Sequence, residues 1–150
     1  MATAGDMDRR LRDAVRCLVV AHRVLTDLKR PCGASMSITH AYALLELYGA
    51  ARSMTISELT DRLVIDRTNV SRLCARMEQA GEVARSVHPE DGRARVLQLT
   101  AHGRRLARGV DESSARHFAA LVTKLGSATG RVIESLELLQ QAITTKEEDE

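Results

Sequence analysis

From Asp66 to Ala80 the sequence reads DRTNVSRLCARMEQA, and its polar residues are of the kinds that read nucleic-acid bases. Arginine can donate two hydrogen bonds to one guanine, asparagine can pair its amide with adenine, and a small hydroxyl lets a backbone approach a groove floor. Spacing matters as much as type. At about 100° per residue, Val70, Leu73, Cys74 and Met77 share one side of a helix. Thr68, Arg72 and Ala75 lie opposite, flanked by Asn69, Ser71 and Arg76. The pattern predicts an anchored helix that offers Thr68, Asn69 and Arg72 to base edges, and Arg67, Ser71 and Arg76 to nearby bases or phosphates. A merely solvated face has the same composition, so the surrounding elements must discriminate.

Upstream, Thr55 followed by Glu58 is a capping box, which opens a helix carrying Leu59 and Leu63 on one face. A break at Val64 and Ile65 precedes Asp66, a good N-cap for the cationic helix, and Gly81 suits its C-terminal cap. Val83 to Val87 then reads as a strand, HPEDGR (His88 to Arg93) as a turn, and Arg95 to Leu99 as a returning strand. Leu97 and Leu99 fall on one side of it and Val96 on the other. So short a hairpin cannot stand alone in water and must lean on the helices. Its tip then projects Arg93 and Arg95, and an extended arginine is slim enough for a minor groove. Asp91 is expected to fix the tip by pairing with an arginine. Helix, turn, helix and ribbon in this order make a winged helix-turn-helix.

Residues 7 to 29 read as a long helix, with Leu11, Val15, Leu18, His22 and Leu25 spaced by four and three, a seam that needs a partner. Arg30 to Ser35 (RPCGAS) breaks it. A second helix opens at Ser37 or Thr39 and closes at Gly49, with Tyr42, Leu45 and Tyr48 on one face. After the ribbon, Thr100 caps a helix to about Leu125 that aligns Leu106, Val110, His117, Leu121 and Leu125, and Gly126 ends it. A last helix, from about Ala128 to Ile143, aligns Val132, Leu136, Leu139 and Ile143. The winged part cannot cover three such seams, and a homodimer that interlocks them can.

The expected fold is therefore mainly α with a small β-hairpin wing, a winged helix-turn-helix with flanking N- and C-terminal dimerisation helices. Residues 1–150 form one domain, in which 36–108 bind DNA, 7–29 and 111–145 dimerise, and 146–150 are an acidic tail. A two-fold dimer would set its reading helices about one turn of duplex apart, so its double-stranded DNA partner should be a pseudo-palindromic operator with half-sites roughly 10 base pairs apart or a multiple.

Charge agrees with this division. The 150 residues carry a net charge of only +2, but 52–110 hold 11 basic and 7 acidic side chains, against 4 and 8 in 111–150. With one Phe, two Tyr and no Trp, the core must be aliphatic, which helices suit. No run of about 18 apolar residues occurs and no basic-then-apolar leader opens the chain, so neither a membrane span nor secretion is expected and the location should be cytoplasmic. Enzyme chemistry finds no support, because there is no phosphate-binding glycine loop, HExxH or nucleophile elbow. No catalytic residues, metal site or cofactor are therefore expected. Cys17, Cys32 and Cys74 have no CxxC spacing and make no metal signature with the histidines.

The leucine-bearing helix, the NVSRLCARMEQAGEVAR stretch, the Asp91-x-Arg93 tip and the LTAHG step at Leu99 to Gly103 together resemble the MarR family of bacterial transcriptional regulators. The likeness is detailed over roughly residues 35–125. Two departures are Gly92, where the family often carries an arginine, and Glu82 with Val83, where an apolar pair is commoner. The resemblance implies a homodimeric repressor released from its operator by a small aromatic or phenolic effector, with His22, His40, Tyr42 and Tyr48 as candidate lining residues. Those tyrosines are equally compatible with core or interface packing. Two alternatives remain open. One is a thiol-based peroxide sensor using Cys17, which stands where a branch of the family keeps a reactive thiol and beside Arg16. The other is a winged-helix interaction adaptor without DNA binding.

Overall fold

The computed structural model describes residues 4–25 and 36–144, and within the first stretch the side chains of residues 6–19 and 21. The end of the expected first helix, the His22 side chain, the Arg30–Ser35 linker with Cys32, and the 146–150 tail lie outside the described residues. The described elements run α1 (Ala4–Leu25), α2 (Ile38–Gly49), β1 (Met54–Thr55), α3 (Ile56–Leu63), α4 (Arg67–Gln79), β2 (Val83–Val87), β3 (Arg95–Leu99), α5 (Ala101–Leu125) and α6 (Thr129–Thr144). They gather into two units that divide after Ser114.

Local signals set most helix ends in the first unit. Ser37 Oγ accepts the His40 N–H at 3.2 Å and opens α2. Thr55 Oγ1 accepts the Glu58 N–H at 3.1 Å while the Glu58 carboxylate takes the Thr55 N–H at 2.7 Å, so the expected capping box is complete. Caps of this kind stabilise a helix by about 1 kcal/mol each. α3 stops at Val64, which holds the left-handed conformation (φ 52°, ψ 41°) without being a glycine.

The sheet holds one strand more than the hairpin alone. Met54–Thr55 pairs antiparallel with β3, Met54 opposite Leu97 and Thr55 opposite Val96, giving the order β1-β3-β2. β3 is therefore central. Val96 and Leu97, which point to opposite faces of the pleat, are both buried as a result. The core gathers α2 (Ala43, Leu44, Leu47), α3 (Leu59), α4 (Val70, Leu73, Cys74, Met77), the strands (Met54, Val83, Leu97) and the first half of α5 (Ala107, Val110). Full burial of a Leu, Val or Met side chain contributes roughly 1.5–3 kcal/mol, so this cluster anchors α4 from behind. The α2 face turned inward is the His40, Ala43, Leu44 and Leu47 side, with Leu45 and Tyr48 only partly covered.

In the second unit α5 ends at Leu125, and a single 3₁₀ turn, Gly126–Ala128, leads into α6. Gly126 takes φ 53°, as the expected stop requires. The apolar side chains Val132, Ile133, Leu136 and Ile143 of α6 are exposed, as are Met7, Leu11, Leu18 and Val19 on α1 in the first unit. Among the described residues no helix is long and apolar enough to cross a membrane.

Candidate nucleic-acid interface

α4 is built to show its outer side. Asp66 Oδ1 accepts the Asn69 N–H at 3.0 Å and caps the helix. At the other end the Glu82 N–H bonds Met77 O at 2.9 Å and the Gly81 N–H bonds Glu78 O at 3.0 Å, with Gly81 at φ 69°. This is the paired 6→1 and 5→2 closure that needs a residue without a Cβ at Gly81. Between the caps Val70, Leu73, Cys74 and Met77 are buried, while Arg67, Thr68, Asn69, Arg72, Ala75 and Arg76 are exposed and Ser71 is half-buried. The structure thus brings the sequence-predicted reading residues onto one open face. Asn69 has a second commitment, since its side-chain amide donates to the Asp66 carboxylate. One amide hydrogen and the carbonyl oxygen remain for another partner.

Asn69, Arg72 and Arg76 also line a groove of about 260 Å³ shared with Ser37 and Thr39 at the start of α2, floored by Ile65 and Leu73. Two guanidinium groups over a shallow groove favour an anionic occupant, as phosphate contacts do when they fix the register of a protein on a duplex. Burial pushes the Cys74 thiol pKa up, so this cysteine behaves as a small core hydrophobe.

The hairpin β2–β3 is tied to α4 by Arg85 on β2, whose Nε meets Glu78 Oε2 at 3.0 Å. At its tip Arg93 and Arg95 are exposed. Asp91 does fix the tip, but through the backbone: its Oδ1 accepts the Arg93 N–H at 3.0 Å. The His88 N–H bonds Ala94 O at 3.0 Å, and His88 Nδ1 accepts the Glu90 and Asp91 N–H groups at 3.1 and 3.2 Å.

Past the C-terminal cap of α4 lies a residue that the sequence marks as a departure from the family pattern without giving it a role. Glu82 is buried, and its Oε2 lies 2.6 Å from His40 Nε2, the two side chains being only 2% and 8% exposed. Its carbonyl accepts the Thr100 N–H at 3.0 Å, the Thr100 hydroxyl donates to the neighbouring Gly81 carbonyl at 2.5 Å, and Thr100 Oγ1 in turn accepts the Gly103 N–H at 3.0 Å to cap α5. His40, named as an effector-lining candidate, therefore sits inside the first unit against Glu82. The available signal was the charged residue after Gly81, where the family resemblance expects an apolar one.

The other small-molecule and redox candidates are dispersed. Tyr42 is 42% exposed, with burial raising its phenol pKa, and Tyr48 packs partly against the core. Cys17 is exposed on α1, and Arg16 beside it meets Asp13 at 3.3 Å. Among the described residues no cluster of three His, Cys, Asp or Glu could hold a metal ion.

The sequence model of the MarR family matches residues 34–94, a span that takes in the caps, α4 and the wing tip through Arg93. No curated relative matches the sequence. Among solved structures, the chain is similar to a MarR family transcriptional regulator from Streptomyces coelicolor, Sco3205, in complex with DNA: TM-score 0.79 and 22% identity, covering 99% of this chain and 97% of that one. It is also similar to the PcaV transcriptional regulator of the same organism in complex with its natural ligand (TM-score 0.65, 22% identity, 97% and 95% coverage). A third likeness is to BpsR from Bordetella bronchiseptica, whose DNA binding is regulated by 6-hydroxynicotinic acid (TM-score 0.69, 17% identity, 89% and 98% coverage).

Proposed function

We propose, taking as premise that the chain carries the winged helix-turn-helix of the MarR family of transcriptional regulators, that it is a sequence-specific double-stranded-DNA-binding repressor. The observation that carries this reading is a single surface. The polar side of α4, with Arg67, Arg72 and Arg76 exposed, stands on a fully buried apolar side and is joined through Gly81 to an arginine-tipped wing. An interaction adaptor has no use for that face. In this reading Thr68, Asn69 and Arg72 meet base edges in the major groove, and Arg67, Ser71 and Arg76 meet nearby bases or phosphates. Arg93 enters the minor groove, Arg95 supports it, and Asp91 shapes the tip.

The regulator acts as a homodimer. Exposed apolar side chains on α1 (Met7, Leu11, Leu18, Val19) and α6 (Val132, Ile133, Leu136, Ile143) support this, since each seam gains little until a second copy covers it. A mass in solution of twice the 16.5 kDa chain is the expected result in light scattering. The operator is then an inverted repeat. For the effector, a small aromatic acid remains the class in view, supported by the ligand in BpsR; Tyr42 is the candidate whose ring is reachable.

In vitro selection from a random duplex pool, followed by footprinting on the chain's own promoter, tests the reading. A bidentate base contact is worth about 1–3 kcal/mol, so Arg72→Ala should weaken binding to the selected site by about 5- to 150-fold and relax its sequence preference. An Arg72→Ala protein that binds as tightly and as selectively as wild type refutes the assignment.

A further inference from the structure

The wing-tip turn is held by two side chains. Asp91 Oδ1 takes the Arg93 N–H, and His88 Nδ1 takes both the Glu90 and the Asp91 N–H groups at 3.1 and 3.2 Å. The backbone closes the turn outside them, His88 N–H to Ala94 O and Ala94 N–H to Asp91 O, both at 3.0 Å. Pro89 has no N–H to contribute. Removing the imidazole acceptor would leave two turn amides to water and free the segment from which Arg93 emerges.

This role demands one state of the ring. An imidazole nitrogen accepts a hydrogen bond only when it carries no proton, and in the imidazolium both nitrogens are donors. The bonds at Nδ1 therefore require the neutral ring with its proton on Nε2. A second proton would turn an N–H toward two other N–H groups. The charged residues of the turn and of the strands it joins are Glu90, Asp91 and Arg93 in the turn, Arg95 on β3 and Arg85 on β2, the last paired with Glu78, and Arg52 before β1 feels the charge of Glu90.

We propose that His88 is a positioning residue for DNA binding: its unprotonated Nδ1 holds the wing-tip turn that aims Arg93, so that protonation of this one ring loosens the grip of the protein on its site. The proposal rests on the DNA-binding reading above. Acid works against affinity here although it adds a positive charge near DNA, because the lost geometry belongs to the arginine that enters the groove.

The test uses the full-length protein and a fluorescein-labelled duplex selected in vitro by the wild type, titrated by anisotropy at constant ionic strength. The pair of conditions is about pH 8 and about pH 5.5, the span over which histidine side chains as a class change charge, with melting curves at both to show that the protein is folded. The two amides share one imidazole lone pair at an exposed turn, and their joint loss is set at about tenfold in affinity, which corresponds to about 1.4 kcal/mol. Wild type should lose about tenfold in affinity on acidification. His88→Asn, whose side-chain oxygen can accept the same amides and does not titrate, should keep wild-type affinity near pH 8 and lack that loss. His88→Ala should be about tenfold weak at both pH values. In an Arg93→Ala background His88→Ala should change nothing further, which separates aiming of the arginine from general stability. Protection of the Glu90 and Asp91 amides, taken relative to the intrinsic exchange rate at each pH, should fall in acid for wild type and hold for His88→Asn.

A wild type that binds equally well or better in acid, or a His88→Ala protein that matches wild type near pH 8, overturns the proposal while leaving DNA binding standing. A wild type that enriches no duplex overturns both, since no DNA role is left for His88 to support.

Discussion

Replacing Gly103 by alanine tests how α5 is fixed against the Glu82 backbone that closes α4. A Cβ built at this position lies 1.8 Å from the Glu82 carbonyl oxygen and 2.7 Å from its carbon, both backbone atoms that cannot rotate aside. Restoring an ordinary contact near 3.4 Å requires α5 and the Glu82 peptide to part by roughly 1.5 Å. That motion breaks the Thr100 N–H bond to Glu82 O, at about 1 kcal/mol, and adds an overpacking cost of about 1–3 kcal/mol. The sum, about 2–4 kcal/mol, is a large part of the stability of an ordinary domain. Gly103→Ala should therefore lower the midpoint of thermal unfolding by on the order of 10 °C. The matched control is Gly109→Ala in the same helix, where the added Cβ meets nothing within 4 Å and helix propensity favours alanine by about 1 kcal/mol. Circular-dichroism melts and urea titrations of the two variants decide the matter. A Gly103→Ala protein melting within about 2 °C of wild type, or a Gly109→Ala protein that falls as far, refutes the close approach of α5 to Glu82.

Two further perturbations address the turn and the cap that lead into α4. Val64 holds a left-handed backbone while 74% exposed, so it carries strain of about 1–2 kcal/mol with little burial in return; Val64→Asn should raise the melting temperature by about 2–4 °C, and a lower value would show that the side chain stabilises the turn by contacts. The Arg52 guanidinium, then the Thr55 N–H, hold the Glu58 carboxyl at about 2, well below its ordinary 4.5. A carboxylate with a depressed folded pKa stabilises the fold above its unfolded value and loses that contribution as pH falls toward the folded one. The stability gap between wild type and Glu58→Gln should accordingly be full at pH 7 and close between about 4.5 and about 2 in urea titrations; a gap independent of pH would rule the ion pair out.

What could be read in the sequence was what local chemistry decides. Ser37, Thr55, Asp66 and Thr100 cap helices because their side-chain oxygens reach amides three residues on, and Gly81 takes a conformation that a Cβ resists. The buried stripe of α4 follows from helical period alone, and its exposed arginines follow with it. β1 escaped because two residues have no alternation to detect, and their strand identity comes from pairing with Leu97 and Val96 over forty positions away. Glu82 was visible as an anomaly, but its partner His40 stands on another helix, and nothing local links the two. His88 was hidden for a different reason. Turn chemistry is usually read from Asp, Asn, Ser, Gly and Pro, whereas here an imidazole nitrogen does the same work.

The position after Gly81 explains why the outer face of α4 can be composed almost entirely of side chains with no structural duty. The Glu82 N–H closes α4, its carbonyl caps α5 through Thr100 at a distance only Gly103 permits, its carboxylate reaches His40 on α2, and the next residue begins the wing. Four elements are thus referenced to one buried residue. Placing a carboxylate there costs desolvation, which is tolerable only with a close partner such as the imidazole at 2.6 Å. With orientation set from behind, a change at Thr68, Arg72 or Arg76 should leave the fold intact, since these side chains are exposed, and on the proposed function it alters what is read. A change at Glu82, His40 or Gly103 does the reverse. The exposed residues and the positioning residues stand on opposite sides of α4, so the proposed function expects DNA sequence preference to change with substitutions on the outer face alone.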